Sequence, residues 1–180
     1  MPAIDNAKIL IIASDRFEES ELFGPREILL GRGARVVVAA PGRAAIQGTV
    51  RDEPGRSITP DATLDEVEAA RFDALLLPGG VSNPDHLRTN ATAMALISAF
   101  AAAGKPVAAI CHAPWLLVEA DLLRGRRATC WPSIRTDLSN AGAMVEDQAV
   151  VRDGNLITAR GPDDVTAITE ALVAAIEEAD

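Results

Sequence analysis

Strand-like and helix-like runs alternate along nearly the whole of this 180-residue chain, and this alternation restricts the folds that it can adopt. Short aliphatic runs bounded by Gly, Pro or Asp are typical of buried strands, whereas longer amphipathic or Ala-rich runs are typical of helices. The predicted strands cover 8–13, 34–41, 73–77 and 106–110, and the predicted helices cover 18–30, 92–103, 114–123 and 162–179. Such an order predicts a doubly wound α/β fold, in which helices sandwich a mostly parallel sheet.

Two segments interrupt the alternation and predict small β embellishments. Residues 42–63 would make an implausibly long bare loop, so we expect short strands within them. In 149–158, the pair Asp153-Gly154 stands between two apolar runs, which is a strong hairpin signal. The length fits one domain, and we expect residues 1–180 to form a single unit.

The composition argues against several classes of protein. Hydrophobic residues make up 48% of the chain but aromatic residues only 3%, so the core must be aliphatic, as in parallel sheets covered by helices. A net charge of −9 without a basic run predicts no binding to nucleic acid or to anionic membranes. We expect no signal peptide and no membrane-spanning run, and Cys111 and Cys130 indicate neither a metal site nor a disulfide framework. We therefore expect a cytoplasmic protein without a metal or cofactor.

The residues that most suggest chemistry lie in the segment AAICHAP, residues 108–114. An apolar strand ends there at Cys111-His112, and Pro114 begins an amphipathic run. A nucleophile-capable residue at such a sharp strand-to-helix break is typical of a nucleophile elbow. Because cysteine reacts as the thiolate, we expect the adjacent helix N-terminus to lower the pKa of the Cys111 thiol.

Other polar or special residues follow the predicted strands at the same edge of the sheet, where α/β proteins bind ligands. Glu18 follows the first strand, and we expect it to be a partly buried carboxyl with a raised pKa that shares the Cys111 proton. Gly79 and Gly80 follow the third strand, where a glycine N–H is predicted to form an oxyanion hole with that of His112. The residues brought to this edge are Glu18, Gly79, Gly80, Asp85, His86, Cys111 and His112.

Each candidate also has a purely structural interpretation, which the sequence leaves open. A free cysteine often simply packs in the core, and we expect this of Cys130. A histidine beside the nucleophile need not face it, because adjacent residues on a helix point in different directions. Glu18 fits equally well as a solvated carboxylate in the first turn of a helix, and Gly79-Gly80 as an ordinary turn. Asp85 would then belong to a solvated loop.

The chain also resembles the ThiJ/PfpI family of the class I glutamine amidotransferase-like superfamily. The similarity lies in stretches that run in one order from the first strand to the last helix. These are FEESEL (17–22), DALLLPGG (73–80), GKPVAAICHAPWLL (104–117), LLRGRRAT followed by CWPSIRTDLSNAGA, and VVRDGNLITARGPDD. The chain looks most similar to PfpI-type intracellular proteases, whose members are also described as glyoxalase III-like enzymes and as protein or nucleotide deglycases.

The resemblance implies a flavodoxin-like sandwich and a set of residue roles. It implies Cys111 as the nucleophile, Glu18 hydrogen-bonded to its sulfur, and His112 as the acid/base. In the PfpI branch, the acidic partner of the histidine comes from a neighbouring subunit at the position of Asp85, so the resemblance implies homodimers or homohexamers. The protease type carries Glu at the position of Asp85 and Tyr at that of Trp131, which is a further candidate for substrate binding.

We therefore predict a cysteine-dependent enzyme that acts on reactive carbonyls or glycated groups, as glyoxalase III-like enzymes and deglycases do, through a covalent Cys111 intermediate. Its partners would be a small carbonyl or glycated substrate, or peptides, together with further copies of itself. Two alternatives stay open: an intracellular PfpI-type cysteine peptidase, and a redox-sensing stress protein or chaperone that uses oxidation of Cys111. In a third alternative, the chain is an interaction domain with an unreactive cysteine.

Overall fold

The computed structural model describes residues 3–178, and within this range twelve strands and six α-helices follow one another in the predicted α/β order. The strands are β1 (Lys8–Ile12), β2 (Phe17–Glu18), β3 (Arg35–Ala40), β4 (Ile46–Val50), β5 (Glu53–Ile58), β6 (Ala62–Thr63), β7 (Ala74–Leu77), β8 (Val107–Ile110), β9 (Arg127–Ala128), β10 (Met144–Val145), β11 (Val150–Asp153) and β12 (Leu156–Ala159). The helices are α1 (Glu19–Gly31), α2 (Ser82–Leu87), α3 (Ala91–Ala102), α4 (Pro114–Glu119), α5 (Arg135–Asn140) and α6 (Val165–Glu178). The predicted α/β fold is therefore confirmed.

The central sheet comprises seven of the strands within residues 3–178, in the order β11-β12-β8-β7-β1-β3-β6. All neighbouring pairs are parallel except β11 and β12, which form an antiparallel hairpin. This hairpin turns at Gly154-Asn155, next to the predicted position. Gly154 has a φ of 58°, in the left-handed region that glycine adopts without steric cost.

Alternate side chains of the central strands face two separate cores, which explains why these strands are aliphatic at nearly every position. In β1, Ile9 and Ile11 pack in one core with residues of α1 and α6. Leu10 and Ile12 pack in the other core with residues of α3 and α4. The same alternation continues in β7 and β8, so helices cover both faces of the sheet.

A second, three-stranded sheet accounts for the β embellishment predicted in 42–63. β4 and β5 form an antiparallel hairpin, and β4 pairs in parallel with the two-residue strand β2. Because β2 directly precedes α1, this pairing brings the hairpin to the beginning of that helix. β9 and β10 form a further two-stranded parallel sheet.

Four helices, α1, α3, α4 and α6, agree with the predicted ones apart from their ends, whereas the short helices α2 and α5 were not predicted. α1 continues through Pro25 without a break. Asn90 caps α3, because its side chain accepts a hydrogen bond of 2.9 Å from the backbone N–H three residues on. α4 ends at Glu119, earlier than the predicted 114–123, and Ala179 of the predicted last helix lies outside the described residues. Of the helices that the structure describes, none is long and apolar enough to cross a membrane.

The strand order places a crevice at the carboxyl edge of the sheet. From β1 the sheet continues through β3 on one side and through β7, β8 and β12 on the other, so the winding reverses between β1 and β7. Ligands of open α/β sheets bind at such a reversal point.

Buried Asn83 connects the two loops that border this crevice. Its Oδ1 accepts the N–H of Ser14 (2.7 Å), just beyond β1. Its Nδ2 donates to the carbonyl groups of Pro78 (2.8 Å) and Gly79 (3.0 Å), just beyond β7. Because Asn83 is fully buried and uses both ends of its amide, it fixes the relative position of the two loops.

Candidate active site

Cys111 stands at the sharp break predicted between β8 and α4. Its N–H donates to the carbonyl of Ala159 (3.0 Å), and its own carbonyl accepts the N–H of Trp131 (2.9 Å). Between these hydrogen bonds, Cys111 has a φ of 65°. A non-glycine residue reaches this left-handed region at a cost of about 1–3 kcal/mol, which the surrounding structure must offset. The predicted sharp break at Cys111 is therefore present, and the role of Cys111 as a nucleophile stays a prediction.

Cys111 and His112 line a cleft of about 990 Å³ at the carboxyl edge of the sheet. The thiol is recessed, since Cys111 is 6% exposed. The walls come from the loops after β1, β7, β8 and β9, from α1, from the β4–β5 hairpin and from the segment where α6 begins. Residues of these walls include Arg16, Glu18, Val50, Val81, Trp131 and Asp163.

The carboxyl group beside Cys111 belongs to Glu21, and the prediction of Glu18 for this position is wrong. Glu21 lies in the first turn of α1 and is fully buried. Its Oε2 accepts the N–H of Gly79 (2.8 Å), and the carboxyl is close enough to the thiol for each group to shift the pKa of the other. A methyl group on Gly79 would meet Glu21 Oε2 at 2.5 Å and Cys111 Cβ at 2.7 Å, so a glycine is required between them.

Glu18 instead forms part of the wall of the cleft. It precedes α1 in an extended conformation, with φ −68° and ψ 121°, so its side chain leaves the chain in a different direction from that of Glu21. Its Oε2 accepts the N–H of Arg51 in the β4–β5 turn (3.0 Å). Burial raises the pKa of Glu18, and the hydrogen bond from Arg51 opposes this shift. Glu18 therefore connects the hairpin to the beginning of α1.

Helical spacing contains a signal that identifies Glu21. Residues 21, 25 and 29 are four apart and share one face of α1, and Pro25 and Leu29 on this face are buried. A glutamate on the apolar stripe of a helix is rarely buried without a specific partner. Its position on this stripe therefore marks Glu21, and not Glu18, as the buried carboxyl.

Burial governs the protonation of the Cys111–Glu21 pair. It raises the pKa of Glu21 to about 8, against the hydrogen bond from Gly79. Burial also raises the pKa of the Cys111 thiol, and negative charge on Glu21 raises it further, whereas the N–H groups of Gly80 and His112 lower it. The predicted lowering of the thiol pKa by the helix N-terminus is wrong, because α4 has six residues and burial outweighs the effect of nearby N–H groups.

His112 reaches the sulfur with its own ring. Its Nδ1 lies 3.2 Å from Cys111 Sγ, and its Nε2 lies 3.4 Å from Ser133 Oγ. The ring stacks on Trp131, with centroids 5.9 Å apart at 27°, and meets Trp115 edge-on at 5.4 Å. Burial lowers the pKa of His112, so the neutral ring at neutral pH can accept a proton. Local sequence patterns mark neither Ser133 nor Trp115, since tertiary packing brings both to the ring.

The two backbone N–H groups predicted for an oxyanion hole lie close to the Cys111 sulfur. The N–H groups of Gly80 and His112 both stabilise negative charge on the Cys111 sulfur. Gly80 has a φ of 80°, and a methyl group there would meet the carbonyl oxygen of Arg16 at 2.4 Å. The close approach of the two loops therefore requires glycine at this position.

Asp85 and His86 do not join this group within one chain. Both are exposed on α2, and neither lines the cleft. The predicted contact of Asp85 with His112 of a neighbouring subunit stays a prediction.

Cys130 is fully buried, as expected for core packing, and burial raises the pKa of its thiol to about 12. Within residues 3–178, no group of three or more His, Cys, Asp or Glu side chains is placed to hold a metal ion.

Comparison with known proteins gives consistent matches over most of the chain. Residues 7–175 match the DJ-1/PfpI family. Protein/nucleic acid deglycase 2 of Escherichia coli is 44% identical over 168 residues, which cover 92% of this chain and 95% of the relative. Deglycase PfpI of Pyrococcus furiosus is 40% identical over 160 residues, covering 89% and 93% of the two chains.

A solved structure from Anabaena variabilis has the same fold. That protein contains DJ-1/ThiJ/PfpI-like and ferritin-like domains, and it superimposes with a TM-score of 0.91 at 36% identity. The match covers 96% of this chain and 48% of the two-domain protein, so it spans about half of that protein's length.

Proposed function

Because the chain belongs to the DJ-1/PfpI family, we propose that it is a cysteine-dependent hydrolase of the deglycase or glyoxalase III type. Its substrates would be reactive dicarbonyls and the early adducts that these form with amines. Relatives named deglycases support the class of reaction. The observation that carries the proposal is the position of Cys111 Sγ, which lies 3.2 Å from His112 Nδ1 and beside the buried Glu21 carboxyl.

The first step forms the nucleophile. Cys111 passes its thiol proton to the neutral His112 ring at Nδ1. Near neutral pH, Glu21 keeps its own proton, because burial raises its pKa to about 8. The carboxyl is then uncharged, so it does not repel the thiolate. The new imidazolium lies next to the thiolate and stabilises it by charge.

The second step makes a hemithioacetal. Sγ attacks the aldehyde carbon of the dicarbonyl, the S–C bond forms, and the carbonyl π electrons move to the oxygen. The alkoxide accepts hydrogen bonds from the N–H groups of Gly80 and His112 and then takes the proton from the His112 ring. With an amine adduct, Sγ attacks the carbinol carbon, the C–N bond breaks, and the amine leaves with that proton.

The third step produces an acid without an external oxidant. A proton moves from the former aldehyde carbon to the neighbouring carbonyl carbon, with His112 as the carrier, and the hydroxyl proton moves to the oxygen of that carbonyl. One carbon is thereby oxidised while the other is reduced. The hemithioacetal thereby becomes a thioester. Water then cleaves the thioester and releases a 2-hydroxy acid and the free Cys111 thiol. Methylglyoxal would give lactate, and glyoxal would give glycolate.

Replacement of the nucleophile tests this proposal. Cys111→Ser should abolish the conversion of methylglyoxal to lactate, measured by proton NMR of the reaction mixture. Cys130→Ala removes the other thiol, which is buried outside the cleft, and should retain most of the activity. Wild-type protein that forms no lactate, or a Cys111→Ser variant that forms it at the wild-type rate, would contradict the proposal.

The same preparations separate the two alternatives. A PfpI-type peptidase would cleave unmodified peptides in a Cys111-dependent way and leave methylglyoxal unchanged. A redox sensor would convert neither substrate, and mild peroxide would oxidise Cys111 selectively to the sulfinic acid, which mass spectrometry detects.

A further inference from the structure

Both tryptophans of this chain contact the His112 ring. The indole of Trp131 stacks on the imidazole, with centroids 5.9 Å apart and planes at 27°, and Trp115 meets it edge-on at 5.4 Å. The Trp131 N–H also donates to the Cys111 carbonyl (2.9 Å), so the backbone fixes this residue next to Cys111. Trp131 therefore lies beside the ring that takes up the thiol proton in the proposed reaction.

We infer that Trp131 is a positioning residue whose indole face stabilises the charged His112 ring by a cation–π interaction and thereby favours transfer of the Cys111 proton. The face of an indole is electron-rich and attracts a cation whose centre lies within about 6 Å. When the S–H bond breaks and the proton binds Nδ1, the imidazole becomes such a cation. The neutral ring carries no net charge, so it gains less from the same contact. Trp131 therefore stabilises the state after proton transfer more than the state before it.

Burial makes this contact important. It lowers the pKa of His112, because the charged ring loses hydration in the cleft. A cation–π interaction becomes stronger when the cation is desolvated. The Trp131 indole thus offsets part of the cost that burial places on the imidazolium.

Trp115 is engaged elsewhere, which assigns the effect to Trp131. The Arg88 guanidinium already lies over the Trp115 ring, 5.6 Å from its centroid. The Trp115 N–H donates to Asp137 Oδ2 (2.8 Å). In the part of the chain that the structure describes, no lysine or arginine lies over the ring of Trp131. The face of Trp131 is therefore the one that serves the histidine.

Other charged groups also act on the His112 ring, and the test must leave them in place. They stand beside the sulfur, next to Trp115 and along the cleft, and within residues 3–178 they are Glu21, Asp137, Arg88, Glu18, Asp163 and Arg16. The resemblance adds Asp85 of a neighbouring subunit. Replacement of Trp131 alone keeps all of these charges, so a change in the His112 pKa reports the loss of the indole.

A proton NMR titration of the resting protein tests the inference without any substrate. The chain has two histidines, so His86→Gln assigns the His112 signals directly. Trp131→Leu keeps an apolar cover on the ring but removes the π face. It should lower the His112 pKa, with the proton-binding constant falling about twofold to fivefold, as for one exposed cation–π contact. Trp131→Phe keeps an aromatic face and should restore most of the loss.

Controls separate the π face from the bulk of the side chain. Trp131 is 40% exposed, so its replacement should not unfold the chain, and Trp131→Met gives a second apolar replacement. Met144→Leu changes an exposed apolar residue of β10 outside the cleft and should leave the His112 pKa unchanged. An unchanged or raised His112 pKa in Trp131→Leu and Trp131→Met would overturn the inference. Equal lowering in Trp131→Phe and Trp131→Leu would overturn it too, because an aromatic face would then have no effect.

Kinetics supply a second readout, which rests on the proposed function. Trp131→Leu should lower kcat for methylglyoxal about twofold to fivefold near neutral pH, because less of the thiolate–imidazolium pair forms. Activity requires neutral His112 at rest, so the acid limb of the pH–rate profile should move to lower pH. Trp131→Phe should restore both quantities.

The two sets of results distinguish failure of the inference from failure of the proposed function. An unchanged His112 pKa in Trp131→Leu would overturn the inference even if Cys111→Ser abolishes turnover. A lowered pKa that Trp131→Phe restores, in a protein that turns over no dicarbonyl, would support the assignment of Trp131 and reject the proposed function.

Discussion

At the scale of single residues, the site depends on how two buried acids share protons. Cys111 and Glu21 cannot both be ionised at low cost, because each negative charge is desolvated and repels the other. Burial keeps Glu21 protonated near neutral pH, with a pKa of about 8. In the proposed reaction, the thiol then loses its proton to His112 without facing a second negative charge. A carboxyl that is neutral at rest therefore makes a buried thiolate possible.

Glu21→Gln should make the Cys111 sulfur more reactive at alkaline pH. At about pH 9, ionised Glu21 raises the pKa of the Cys111 thiol in the wild type, and a neutral amide removes this effect. Iodoacetamide should therefore alkylate Cys111 faster in Glu21→Gln than in the wild type, as measured by mass spectrometry. Near neutral pH, turnover should stay close to the wild-type rate, because Glu21 is protonated there and the proposed steps move the proton through His112.

Glu18→Gln is the matched control, since it makes the same change three residues earlier in the chain. It should leave the alkylation rate of Cys111 close to that of the wild type, because Glu18 contacts the Arg51 N–H and not the sulfur. Equal rates in Glu21→Gln and the wild type would contradict the pairing of Glu21 with Cys111. A change confined to Glu18→Gln would support the assignment made from the sequence.

The prediction of Glu18 failed because the predicted helix, 18–30, begins one residue too early. Which glutamate is buried depends on where α1 begins, and α1 begins at Glu19, one residue after Glu18. A shift of three residues along a helix returns to nearly the same face, but a residue outside the helix does not follow that rule. The places of Cys111, Gly80 and His112 in the cleft were predictable, because all three lie just beyond the ends of predicted strands.

At the scale of elements, the sequence predicts long elements well and short ones poorly. The central strands are aliphatic on both faces because both faces are buried, so composition alone reveals them. The two-residue strands β2, β6, β9 and β10 exist through partners distant in the chain. β2 pairs with β4 at Phe17 and Gly48, for example, and no local pattern contains that pairing. The hairpin in 42–63 was therefore predictable, whereas its attachment to the site was not.

That attachment is a clasp between the first residue of α1 and the outer strand of the hairpin. The Glu19 carboxylate accepts hydrogen bonds from the backbone N–H (2.6 Å) and the Nε (2.9 Å) of Arg56. The Arg56 guanidinium also lies over the ring of Phe23, 4.0 Å from its centroid. The clasp thereby holds the hairpin wall of the cleft against the helix that carries Glu21.

Glu19→Ala should loosen this wall and weaken substrate binding more than chemistry. Without the carboxylate, the Arg56 N–H and guanidinium lose their acceptor, so amide hydrogens of β4 and β5 should exchange faster with solvent. KM should rise while kcat changes little, since Cys111 and His112 are held by other elements. Glu53→Ala is the control, because the Glu53 side chain belongs to the same hairpin but makes no hydrogen bond within residues 3–178. This variant should change neither KM nor the exchange rate of the amide hydrogens in β4 and β5. An equal effect of both variants would contradict the clasp.

At the scale of the whole molecule, the doubly wound topology gathers residues that are far apart in the chain. The loops after β1, β7 and β8 meet because these strands are neighbours, and Asn83 locks the first two loops together. This convergence is a property of the fold, so the sequence could predict the edge at which the site lies. The fold also buries the Glu21 carboxyl in the first turn of α1, so the stability of the folded chain depends on pH through this group.

The free energy of unfolding should decrease as the pH rises from about 5 to about 8 because of Glu21. In the unfolded chain its carboxyl ionises near the ordinary value of 4.5, whereas in the folded chain its pKa is about 8. Between these values the folded chain binds up to one more proton, so raising the pH favours unfolding, by a total on the order of 4 kcal/mol. Glu21→Gln removes this contribution, while the opposite effect of His112 is common to both proteins. When urea unfolding is measured across this pH range, the free energy of unfolding of the variant should therefore fall less steeply with pH than that of the wild type, or rise. If it depends on pH in the same way in both proteins, Glu21 is not protonated in the folded chain.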